Sequence, residues 1–216
     1  MPGPLWQEKI RNRIHEFPRF IYEASIPIGN WRIANATWEE RVIPDVNPSD
    51  LKEFEIGDSW GGPDEWRWFF ASCTIPSDWD GQKVALYFFF GRRGEWEATA
   101  SEALLYVNGE PLQGLDTRHQ EVELPAHYIQ GGKTLDIAIK AFTGMNQREG
   151  AFSQARLVRI NPKAEEFYYL LRNAFRAVLT LDENDPVFVK VAQFIDVALQ
   201  KLDYRKPGSP AFYESV

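Results

Sequence analysis

Alternation of apolar and polar positions is strongest in the middle of the chain, between Glu102 and Phe142. Leu135, Ile137 and Ile139 fall on one side of an extended segment ending at Phe142, with Asp136, Ala138 and Lys140 on the other. Upstream, Glu65–Ile75 alternates in the same way: Phe69, Ala71, Cys73 and Ile75 share one face, and Trp66, Trp68, Phe70 and Ser72 the other. Val84–Phe90 is apolar on both faces, as in a strand covered on both sides. Shorter strands are predicted at Leu104–Val107, Glu121–Leu124 and Ala155–Ile160. Turn signals separate them. Asp80-Gly81, Asn108-Gly109 and Gly131-Gly132 tolerate positive φ, Gly91–Gly94 reads as a turn, and Pro111 confines the strand after it to a short or edge position. Many short strands at turn-marked spacing predict a β-sandwich or jelly roll.

The period changes at both ends. Leu5, Ile10, Ile14 and Phe17 form a rough helical stripe that Pro18 stops. Asn161-Pro162 and Asp185-Pro186 each place a capping side chain before a proline suited to the first helical turn. Stripes follow both: Phe167, Leu171, Ala174, Phe175 and Val178, then Phe188, Val191, Ala192, Ile195, Ala198, Leu199 and Leu202. The fold class expected is mainly β with α. It divides into an N-terminal helical segment over 1–18, a sandwich over 19–160, a helical hairpin over 161–203 and a linker over 204–216. Pro207, Gly208 and Pro210 mark the linker, although Phe212 and Tyr213 would have nothing to pack on in a free tail.

Composition narrows the function classes. The 216 residues are 44% hydrophobic and 14% aromatic, with eight Trp, enough for a packed core and for rings left over to stack on a ligand. A net charge of -7 without a basic stripe argues against a nucleic-acid partner. No apolar run approaches the length of a membrane helix, and charges break up the first residues, so neither membrane partner nor signal peptide is expected. A cytoplasmic setting follows as the expectation. Cys73 reads as a buried, inert thiol.

Candidate chemistry is sparse. His15, His119 and His127 lack ligand spacing, so no metal site is predicted. Asp58, Asp64 and Asp116 lie in loops and are the best candidates for a carboxylate pair, or else serve as turn caps. Pyranose rings pack a C–H face on aromatic rings while polar side chains take their hydroxyls. Trp60 with Asp64, Trp96 with Glu97, and Asp116 with Arg118 and His119 are such combinations, within loops that include Gln113–Gln120. The competing reading packs these tryptophans between sheet and helices.

The ordered series WGGPDEWRWFFASCTIP, EALLYVNGEPLQGLDTRHQEVELP, LDIAIKAFTG, EFYYLLRNAFRAVLTLDENDP and LDYRKPGSPAFYESV resembles the N-terminal region of class II α-mannosidases of glycoside hydrolase family 38, of the cytosolic and vacuolar branch. The resemblance runs from about Trp31 to Val216. It implies a galactose-binding-like sandwich and helical connector ahead of a (β/α) barrel. That barrel would carry a retaining mechanism with an Asp nucleophile, an acid/base carboxylate and a divalent metal, usually zinc. Its His-x-Asp ligand motif has no counterpart here: His15 precedes Glu16, His119 precedes Gln120 and His127 precedes Tyr128. No catalytic or metal residue is therefore carried onto this chain. The resemblance implies a non-catalytic domain, inactive alone, whose partner is its parent's barrel and whose surface shapes the cleft or an interdomain or oligomer contact. A homo-oligomer and an α-mannoside stand as further expected partners. A stand-alone carbohydrate-binding module is the alternative.

Overall fold

The computed structural model describes residues 5–91, 101–145 and 149–216. They form two compact units, one of Ser25–Arg159 and one joining Ile160–Val216 to the chain before Ser25.

The first unit is a sandwich. Its strands are β1 (Tyr22–Pro27, which straddles the boundary), β2 (Trp31–Ala36), β3 (Lys52–Phe54), β4 (Ser59–Trp60), β5 (Trp66–Thr74), β6 (Val84–Phe89), β7 (Glu102–Val107), β8 (Glu110–Leu115), β9 (Glu121–Glu123), β10 (Thr134–Phe142), β11 (Gly150–Ala151) and β12 (Gln154–Ile160). One sheet has the order β3-β2-β5-β10-β7-β8, the other β1-β12-β6-β9, and β11 pairs with β4. β10 lies antiparallel between β5 and β7, with Ile139 opposite Phe69 on one side and Leu105 on the other. This register puts Leu135, Ile137, Ile139 and Ala141 into the core, as the alternation predicts. β8 is an edge strand, which suits Pro111 because its missing N–H is not needed by a further neighbour. It continues to Leu115, so the predicted Gln113–Gln120 loop is shorter and begins at Asp116.

Aromatic rings fill the space between the sheets. Phe152 stacks on Phe90 at 4.1 Å and meets Trp31 and Phe69 edge-on at 5.0 and 5.4 Å. Trp60 stands edge-on to Phe69 at 5.2 Å. Gly150 permits this packing: a Cβ there would lie 2.6 Å from the Trp60 ring.

The second unit is helical: α1 (Trp6–Glu16), α2 (Pro162–Val178), α3 (Pro186–Lys201) and α4 (Pro210–Ser215). Both predicted caps form. Asn161 accepts from the Ala164 N–H at 2.9 Å and Asp185 from the Val187 N–H at 2.7 Å. The segments 1–18, 161–203 and 204–216, expected to be separate, share one core. Trp6, Ile10 and Phe17 pack in it with Leu171, Phe175, Phe188, Ile195 and Phe212. The expected linker is corrected accordingly. Ser209 caps α4, Phe212 is 0% exposed, and its ring meets Phe20 at 4.8 Å. Burying that ring outweighs the local preference of Pro and Gly for an open tail. The α1 stripe holds at Ile10, Ile14 and Phe17, but its first member is the buried Trp6 and not Leu5, which is exposed.

Candidate functional site

The outer face of the larger sheet is apolar. Trp68, Phe70, Tyr106 and Ala138 form a second buried cluster there, and Ile43 and Leu51, from the irregular segment between β2 and β3, pack against it. This segment is tied down at Glu40. The Trp68 Nε1–H donates to Glu40 Oε2 at 2.7 Å, and the Lys140 amine donates to the Glu40 carbonyl oxygen. Lys140 is carried outward by the β10 alternation, into a row otherwise made by Ala138 and Phe142. Its amine sits 5.0 Å from the Trp66 ring centre and 5.9 Å from that of Trp68. Burial lowers its pKa, and the positive charge of Arg41 adds to that, against the opposing pull of Glu40.

Beside this anchor runs a groove of about 770 Å³ lined by Trp38, Arg41, Trp66, Glu102, Tyr106 and Phe142, among others. Trp66 and Phe142 are register partners on β5 and β10, and their rings stack at 4.5 Å with 23° between planes. Trp38 is 61% exposed, with the Arg41 guanidinium 5.8 Å from its ring centre. Trp38, Trp66 and Phe142 also line a neighbouring hollow that contains Asp64.

The predicted residues fall into three groups. Trp60 is 4% exposed and belongs to the core, so it is corrected from ligand-stacking ring to packing ring. The backbone turns sharply just after it: Asp64 adopts φ 59° and its N–H donates to the Gly144 carbonyl at 3.0 Å, leaving its side chain exposed beside the aromatic rings. Trp96, with Glu97, lies outside the described residues. Asp116, Arg118 and His119 come together in one tight turn. Asp116 Oδ1 accepts from the backbone N–H groups of Arg118 and His119, both at 2.7 Å, and the His119 ring lies 3.0 Å away. Desolvation pushes the Asp116 carboxyl up, but the hydrogen bonds from the His119 ring and the two backbone N–H groups outweigh it and hold the pKa below its ordinary value. The carboxylate thus builds its own loop.

Sequence reasoning missed Trp38, Lys140 and Tyr106. The available signal was the outward row Trp66, Trp68 and Phe70: three large rings on the face away from the core require a cover or a ligand. Among the described residues no group of three or more His, Cys, Asp or Glu side chains is placed to hold a metal ion.

Comparison with known proteins fits this architecture. The family model described as the jelly-roll domain of α-mannosidase matches residues 26–176. Human α-mannosidase 2C1 is 40% identical over 79 residues, which cover 36% of this chain and 6% of that protein. Among solved structures, a β-glucuronidase of Bacteroides uniformis is similar over 65% of this chain and 18% of its own, at 11% identity and a TM-score of 0.48. A β-glucuronidase of Faecalibacterium prausnitzii is similar over 54% of this chain and 20% of its own, at 18% identity and a TM-score of 0.42. The matched stretch is therefore a small part of the curated relative. The family match begins in β1, spans the whole sandwich and continues into α2, and on that extent the chain belongs to the family of α-mannosidase jelly-roll domains.

Proposed function

We propose that this chain is a non-catalytic module of an α-mannosidase, whose parent hydrolyses terminal α-mannosides with retention and with a divalent metal held in a separate catalytic domain. The observation that carries this reading is the family match over residues 26–176, from β1 through the sandwich into α2. The Asp116 turn supports it, because one of the three candidate loop carboxylates is committed to neighbouring N–H groups rather than presented for chemistry. The module's role is to hold and shape the catalytic domain. On α3, Val187, Phe194 and Val197 are exposed on one stripe, opposite the stripe that fills the helical core, and they offer an apolar surface for that contact. A cytoplasmic setting belongs to the same proposal.

The test is turnover. The chain alone, supplied with zinc or cobalt, is expected to leave an aryl α-mannoside unhydrolysed. Turnover above buffer that co-purifies with the chain would overturn the non-catalytic assignment.

A further inference from the structure

We infer that the groove on the outer face of the larger sheet is a binding site for a neutral pyranoside, formed by Trp38, Arg41, Trp66, Glu102, Tyr106 and Phe142.

The polar groups of the groove divide into those already used and those left free. Lys140 and Glu40 are committed to each other's vicinity: the amine to the Glu40 carbonyl, the carboxylate to the Trp68 indole. Three groups remain without a hydrogen-bond partner among the described residues: the Arg41 guanidinium, the Glu102 carboxylate and the Tyr106 hydroxyl. The Tyr106 ring is buried, but its hydroxyl is not among the buried polar atoms left without a partner, so it stays open to a ligand in the groove. The three form a complementary set: Arg only donates, a carboxylate only accepts, and a phenol does both. Sugar hydroxyls, which both donate and accept, satisfy all three.

The charge balance selects against an ion. Arg41 and Lys140 face Glu40 and Glu102, two charges of each sign, so neither an anion nor a cation gains overall. The apolar part selects a flat, partly hydrophobic ligand. Trp38 projects into solvent beside the stacked Trp66 and Phe142 rings, and a pyranose offers a C–H face to such rings. The volume of about 770 Å³ lies within the ordinary range for small-molecule sites, on the order of 300–1,000 Å³.

This site is independent of the family reading, and its test is binding rather than turnover. The full chain is titrated with methyl α-D-mannopyranoside and methyl β-D-glucopyranoside, followed by indole N–H resonances and calorimetry. Saturable binding of at least one probe is expected, shifting the Trp38 or Trp66 indole signal. Trp38→Ala removes an exposed ring, and Tyr106→Phe keeps the packing on Trp68 while deleting the hydroxyl. Each is expected to weaken binding by about tenfold with an unchanged melting temperature for Trp38→Ala. Absence of saturation with both probes well above millimolar concentration overturns the site. So does binding that both variants leave unchanged.

Discussion

Glu40 reaches across 28 residues of chain to accept the Trp68 indole N–H at 2.7 Å, and this bond fixes an irregular segment over an otherwise bare sheet face. Trp68 is fully buried, so its N–H has little access to water as a substitute. Glu40→Ala is expected to destabilise the sandwich by about 1–3 kcal/mol through the orphaned donor. Glu40→Gln retains an acceptor and is expected to cost less. Urea unfolding followed by tryptophan fluorescence measures both, and equal costs for the two variants would count against this role.

Phe212 makes a sharper test of the helical unit. Its ring is fully buried among Phe17, Phe20 and Tyr204. Phe212→Ala is expected to cost about 3–5 kcal/mol, whereas a truly unstructured tail would tolerate it. Helical ellipticity against temperature reads the difference.

For Asp116, the folded pKa lies below the unfolded value of about 3.9. A depressed carboxyl contributes stability that is fully present above the unfolded value and is lost as pH falls through the folded one. The Asp116→Asn variant is therefore expected to differ most from the parent near neutral pH and to converge with it in acid. Carboxyl-carbon NMR should show Asp116 titrating below free aspartate. A midpoint above that of free aspartate would contradict the turn geometry.

Cys73 is half-buried, not fully buried as expected, and desolvation of its sulfur pushes the thiol up to about 12. Because the thiolate is the reactive form, a thiol reagent at pH 8 is expected to label native protein far more slowly than protein in urea. Equal rates would mean that the strand carrying Cys73 opens readily.

Much of this architecture is readable from local pattern. The alternation of Leu135–Phe142 fixes which side of β10 enters the core, and Asn161 and Asp185 announce their helices through side-chain caps. Those signals are local because the physics is local: strand pleat and helix-end N–H groups act within a few residues. The identity of the exposed tryptophan is not local. Trp60 and Trp38 both sit among polar neighbours and turn residues, yet the first enters the core and the second faces solvent, because β4 pairs with β11 some ninety residues later. Phe212 is misread for the same reason, since its partners Phe17 and Phe20 lie at the other end of the chain.

That arrangement of Phe212 also dictates an order of events during synthesis. The sandwich, from Ser25 to Arg159, has all its strands once the ribosome has passed β12. The helical unit does not: Trp6, Ile10 and Phe17 precede the sandwich, and the rest of their core follows it in α2, α3 and α4. Until then α1 lacks the α2, α3 and α4 side chains that cover its buried face in the folded unit, while the sandwich behind it already has all its strands.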